Sequence, residues 1–230
     1  MKTIATRTDM HFYLLGENAV VMQSSATMNL HYQRRIWAVA QVLTDEDQCI
    51  DVVPGMNNLT LIFDPELQAG AALIERLKSC WELLEAEQFI PHEVLIPVQY
   101  GGEYGPDLAQ VASHTGLNEE AVIAAHSAAE YMVYFLGFQP GFAYLGGLPA
   151  NLATPRRAEP RLAVPAGSVG IGGQQTGIYP AQSPGGWQII GRTNIKLFDV
   201  RRSQPSLLQS GDIVRFVDVR TLENAGAQND

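Results

Sequence analysis

The sequence predicts a two-part chain: an α+β N-terminal domain of ferredoxin-like βαββαβ order, followed by a mostly β domain built as a small barrel or sandwich. Three observations carry that expectation. Residues 1–130 hold 18 of the 24 acids but 6 of the 15 bases, a net −12, whereas residues 131–230 net +3. The second stretch also carries 14 of the 21 glycines and 8 of the 13 prolines. Over the same stretch, long helical stripes of apolar residues give way to short apolar runs between Gly/Pro turns. The domains are drawn at 1–92 and 93–230, the second with a helical insertion over 106–136.

Each element follows from its local pattern. Phe12-Tyr13-Leu14-Leu15 and Ala19-Val20-Val21-Met22 flank Gly16-Glu17-Asn18 and read as two short strands with a turn. Leu30, Ile36, Trp37, Val39, Ala40 and Leu43 make a helical stripe over 28–44. Ile50-Asp51-Val52-Val53 and Leu59-Thr60-Leu61-Ile62-Phe63 enclose Pro54-Gly55-Met56-Asn57-Asn58, a hairpin signature. Leu67, Ala71, Ile74, Leu77, Trp81 and Leu84 mark a helix over 66–88, and Val94-Leu95-Ile96-Pro97-Val98 closes the βαββαβ series. Two short helices follow, the second capped by Asn118. A helix-turn-helix of this kind could meet DNA, but Asn118-Glu119-Glu120 would set acids where phosphates lie, which favours a packing pair. Beyond residue 131 the strands are short: Leu162-Ala163-Val164, Ser168-Val169-Gly170-Ile171, Trp187-Gln188-Ile189-Ile190-Gly191, Lys196-Leu197-Phe198 and Ile213-Val214-Arg215-Phe216.

Composition narrows the function. A net charge of −9 opposes general nucleic-acid binding. The start of the chain lacks the apolar run of a signal peptide, and the long uncharged stretches 131–155 and 162–191 are broken by Gly and Pro, so neither export nor a membrane span is expected. Cys49 and Cys80 fit no CxxC pattern, which suits a reducing, cytoplasmic setting. All five histidines precede residue 127, so the Gly/Pro-rich part holds no Ser-His-Asp or Cys-His system and no His-rich metal site. GxSxG, HExxH and Walker A signatures are absent. His126, among alanines, reads as a packed and satisfied histidine.

The polar groups left in the second part are guanidiniums and amides. Gly167 to Gly177 could present successive N–H groups to an anion or form a tight hairpin, and the residues leave both open. Arg156, Arg157 and Arg161 could clamp a carboxylate or solvate a loop; Arg156 leans to the site and Arg157 to the loop. Tyr144, Tyr179 and Arg192 sit in polar turns, where side chains line clefts.

Several runs, taken together, carry a resemblance. Phe135 to Pro149, Pro155-Arg156-Arg157, Pro160-Arg161, Val164 to Val169, Gln175 to Pro180, Pro184-Gly185-Gly186-Trp187 and Gly191-Arg192-Thr193 closely resemble the family of 5-oxoprolinase B subunits, which includes Kip-type kinase inhibitors and allophanate hydrolase subunit 1-like proteins. Departures are modest: Gly170-Ile171-Gly172-Gly173 stands where the family commonly has Ala-Ile-Ala-Gly, Ala143 where Pro is usual, and Asn194 where Pro often follows. The resemblance implies an α+β domain before a cyclophilin-like barrel. It also implies a role in ATP-dependent opening of 5-oxo-L-proline to L-glutamate, with A-like and C-like 5-oxoprolinase subunits as partners and ATP used by the complex. Two alternatives share the motifs: inhibition of a sensor histidine kinase, and a carboxyltransferase component of a urea carboxylase-like enzyme. Lactam activation needs cations and fixed donors for developing charge. The residues suited to it are Arg156, Arg192 and Tyr179 as catalytic groups, with Gln139, Tyr144, Gln174, Gln175, Thr176, Gly172 and Gly173 as substrate contacts.

Overall fold

In the computed structural model, residues 10–25, 30–46, 48–84 and 91–221 are described. The chain divides into two compact units, residues 1–90 and 91–230.

The first unit is a four-stranded sheet with two helices: β1 (Met10–Leu15), β2 (Ala19–Ser24), α1 (Leu30–Asp45), β3 (Asp51–Pro54), β4 (Asn58–Ile62) and α2 (Gly70–Leu83). Its strand order is β1-β2-β4-β3, with every neighbour antiparallel. Gly16 turns the first hairpin at φ +68°, a left-handed conformation that costs glycine little. Alternation in β2 and β4 turns Val20, Met22, Leu59 and Leu61 to one face, where they pack with Ile36, Val39 and Leu43 of α1 and Leu73 and Leu77 of α2. Tyr32 stacks on Trp81 at 5.8 Å, and the Arg35 guanidinium lies 3.8 Å from the Trp81 ring.

The expected βαββαβ order is therefore corrected to ββαββα. Its sixth element, β5 (Glu93–Tyr100), belongs to the second unit. Six residues of β5 pair in parallel with β13 (Ile213–Asp218), which completes the ladder a ferredoxin-like sheet would have needed. Ile96 and Val98 are fully buried in the barrel core, so the apolar face that suggested a sixth sheet strand is spent there.

Two helices follow β5: α3 (Leu108–Thr115) and α4 (Glu119–Ala128). Gly116 ends α3 in the left-handed conformation, and the Asn118 side chain accepts from the Ala121 amide at 2.8 Å. The helical insertion expected to 136 stops at 128, because β6 (Tyr131–Leu136) already belongs to the barrel. Next come β7 (Ala143–Gly146), a 3₁₀ turn at Ala150–Leu152, β8 (Arg161–Val164), β9 (Ser168–Gly172), β10 (Gln175–Ile178), β11 (Ser183–Gly185) and β12 (Gln188–Arg192). Seven strands close the barrel in the order β10-β7-β6-β13-β5-β12-β9, with β9 and β10 as the closing pair, while β8 and β11 form a separate ribbon.

His126 on α4 is wholly buried among the barrel's core residues. The Thr176 hydroxyl donates to Gly170 O at 3.0 Å, so it accepts from His126 Nε2–H at 2.9 Å, and Nδ1 is left to accept from the Tyr100 hydroxyl at 2.8 Å. Burial lowers the His126 pKa to about 3. The unfolded chain thus takes up the proton near pH 6.5 and the folded one does not, so stability is lost as pH falls from that value toward about 3. Ring ¹⁵N spectra should show Nε2 protonated and Nδ1 bare, with no titration from about pH 8 to about pH 5. A midpoint near the ordinary histidine value would contradict this network.

Candidate functional site

Trp187 belongs to a buried cluster with Phe142, Tyr179, Val164 and Ile189, against which Tyr144 packs. The ring rests on strand backbone that has no side chains to hold it away. A Cβ at Gly172 would fall 2.5 Å from the indole, one at Gly177 3.0 Å, and one at Gly170 3.2 Å from the Trp187 Cβ. Phe142 meets Trp187 edge-on at 5.7 Å and Tyr179 at 5.6 Å. Phe142 and Trp187 are buried, and Tyr144, half-buried, stacks on Phe135 at 4.4 Å. At the rim, Phe138 is 62 % exposed and holds φ +68°, unusual for a residue with a side chain, while its ring packs edge-on to Phe142.

The cluster carries polar groups of one character. Burial pushes the Tyr179 phenol above its ordinary pKa, while a hydrogen bond from the Trp187 backbone and the charges of Arg156 and Arg161 pull it partly back. Tyr179 is thus a neutral donor at physiological pH. The Arg156 guanidinium stands 5.8 Å over the Trp187 ring and makes no ion pair among the described residues. Gln139 contributes a side-chain Nε2 that is buried without a hydrogen-bond partner.

The segment that carries Arg156 is anchored by a residue that its sequence context does not single out. Asp107, 3 % exposed, accepts from Arg157 at 2.9 Å, from both terminal nitrogens of Arg161 at 2.8 Å and from the Ile189 amide at 2.6 Å. It thereby ties the start of α3 to β12 and to the segment that carries Arg156. Its position before a helix suggests only a cap, and the side chain makes no cap hydrogen bond.

The remaining candidate residues separate. Tyr179, Tyr144, Arg156 and Gly172 gather at the cluster, and Gln139 adjoins it because its carbonyl accepts from the Phe142 amide at 3.0 Å. Thr176 is fully buried and committed to His126 and Gly170, so it is removed from the substrate contacts. Gly173 and Gln174 form the two-residue tip between β9 and β10, with Gly173 at φ +69°. That is the positive φ at the first central position typical of a type II′ hairpin, and it decides between the two readings of the glycine run. Gln174 is exposed at this tip, and Gln175 pairs with Gly172 in the ladder. Arg192 does not join the cluster; its Nε donates to Ala166 O at 3.0 Å and its side chain lines a different cleft. Among the described residues no group of three or more His, Cys, Asp or Glu could hold a metal ion, and no helix is long and apolar enough to cross a membrane.

Comparison with known proteins places this geometry. The family described as carboxyltransferase domain, subdomain C and D, matches residues 10–208. Three curated proteins, each named as the B subunit of 5-oxoprolinase, are 40–57% identical. The one from Escherichia coli O157:H7 is 57% identical over 206 residues, covering 89% of this chain and 94% of its own. The crystal structure of TTHA0988 is 38% identical with a TM-score of 0.77 over 87% of this chain, which spans 39% of that protein. Kluyveromyces lactis urea carboxylase shares the fold at 20% identity and a TM-score of 0.70, over 94% of this chain and 22% of that one.

Asp107→Asn should leave the two arginines without their buried counter-charge and cost about 3 kcal/mol. Denaturant unfolding measures it; a loss under about 0.5 kcal/mol would show that the cluster does not depend on this carboxylate.

Proposed function

Because the chain belongs to the carboxyltransferase-domain family, and within it to the B subunits of 5-oxoprolinase, we propose that it serves as the B component of a complex that opens 5-oxo-L-proline to L-glutamate with hydrolysis of ATP. A-like and C-like 5-oxoprolinase subunits complete that complex, and it works in the cytoplasm.

The supporting observation is the uncommitted guanidinium of Arg156, which stands above a preorganised aromatic base against which the half-buried Tyr144 packs. 5-Oxo-L-proline offers a carboxylate and a lactam carbonyl. Arg156 takes the carboxylate through its two-pronged fork. Tyr144 donates toward the lactam oxygen, where charge develops as water adds to the carbonyl carbon, the C–N bond breaks and the ring nitrogen takes a proton, while the buried Tyr179 supports the aromatic base beneath. The unpaired Gln139 amide is a further donor at the rim.

This chain does not supply the acid–base step. Asp107, the carboxylate tied to this region, is buried, and both its oxygens are engaged by two arginines and a backbone amide. The strand glycines of the β9–β10 hairpin serve to accommodate Trp187. ATP handling and proton transfer therefore fall to the partner proteins of the complex.

In the assembled complex, Arg156→Ala should lower kcat/KM for 5-oxo-L-proline by about tenfold to a hundredfold, mostly through KM, while Tyr144→Phe should lower kcat. Full activity in both variants would remove this face from the reaction.

A further inference from the structure

On the outer wall of the barrel, away from the residues assigned above, lies a cleft of about 300 Å³. Its walls come from β5, from the turn after it and from the loop that follows β12. Arg192 and Gln99 stand directly opposite each other in the antiparallel β12–β5 ladder, so their side chains share one face. The bond from Arg192 Nε to Ala166 O fixes the guanidinium plane and leaves both terminal nitrogens without a hydrogen bond among the described residues. Asn194 adds an amide and Tyr104 a phenol, while Pro97 and Val219 supply apolar surface.

The cleft's charge is as informative as its shape. No acidic side chain lines it, so the half-buried Arg192 is an uncompensated positive charge in a partly enclosed space. A single guanidinium with both terminal N–H groups free matches a single carboxylate. A phosphate dianion would call for a second cation, and the lining has none. At roughly 30 Å³ per water-sized group, the space suits a molecule of about ten non-hydrogen atoms. The neutral amides and phenol offer hydrogen bonds to its remaining polar atoms.

We propose that this cleft is a second ligand site of the chain, one that binds a small monocarboxylate on Arg192 with Gln99 and Asn194 as amide contacts. The site is independent of the Arg156 face and of the reaction proposed there.

The test uses the full chain carrying Arg156→Gln, so that a carboxylate taken by the aromatic face does not count. Acetate, 5-oxo-L-proline, L-glutamate and inorganic phosphate are each titrated while the Arg192 Nε–H and the Gln99 and Asn194 side-chain amides are followed by NMR. At least one carboxylate should move all three sets of signals together and saturably, with phosphate weaker. Arg192→Gln should weaken that binding at least tenfold, and Gln99→Leu, which leaves the guanidinium and its tie to Ala166 in place, should weaken it by a smaller factor. Signals unmoved by every carboxylate, equal or stronger response to phosphate, or unchanged affinity in Arg192→Gln and Gln99→Leu would each overturn the proposal.

Discussion

Among the buried carboxylates of the second unit, Asp107 is the one that ties the start of α3 to β12 and to the segment around residues 156–161. Burying a carboxylate is costly unless it is fully hydrogen-bonded, and Asp107 meets that condition through two guanidiniums and one amide. Its own amide donates to Ile189 O at 2.9 Å, so the residue grips β12 from both sides. Segments far apart in sequence are thereby held in one register. A functional asymmetry follows. Of the three arginines between 156 and 161, two are spent on Asp107, and Arg156 alone is left to face solvent above Trp187.

The second constraint is steric. Trp187 can lie against the barrel wall only because β9 and β10 offer glycine at 170, 172 and 177. A strand interior gains nothing from glycine by itself, and such residues usually mark a close approach by another group. Here the group is an indole, and the aromatic base it forms with Phe142 and Tyr179 gives the polar groups around it a rigid seat. A guanidinium thus stands free above the aromatic base, while the Asp107 carboxylate is buried and engaged by Arg157 and Arg161. That division suits a protein that contributes part of a shared site.

Much of this was legible in the sequence. The helix cap at Asn118, the hairpin around Gly55 and the packed state of His126 follow from rules that act within a few residues, and the structure agrees with each. The barrel was legible because its Gly/Pro punctuation is dense. The sixth strand was misassigned because an alternating run such as Val94-Leu95-Ile96-Pro97-Val98 states that one face is buried but not in which sheet. At the site, Tyr144, Tyr179 and Arg156 lie near one another, whereas Arg192, read with the two tyrosines as a turn residue, lines another cleft and Thr176 turns inward to His126. The role of Asp107 is not legible in the sequence because its arginines lie some fifty residues downstream, a distance over which spacing carries no signal. The packing role of the glycines was equally hidden, since only the fold brings Trp187 above them.

The account turns on this chain supplying the binding half of a site whose acid–base and nucleotide chemistry reside elsewhere. The direct measurement is formation of L-glutamate and ADP from 5-oxo-L-proline and ATP by the chain alone, and then in mixture with its A-like and C-like partner proteins. The account predicts turnover in the full mixture and none from the chain by itself. Turnover by the isolated chain, or none in a mixture whose three proteins are shown to be folded and bound, would contradict it.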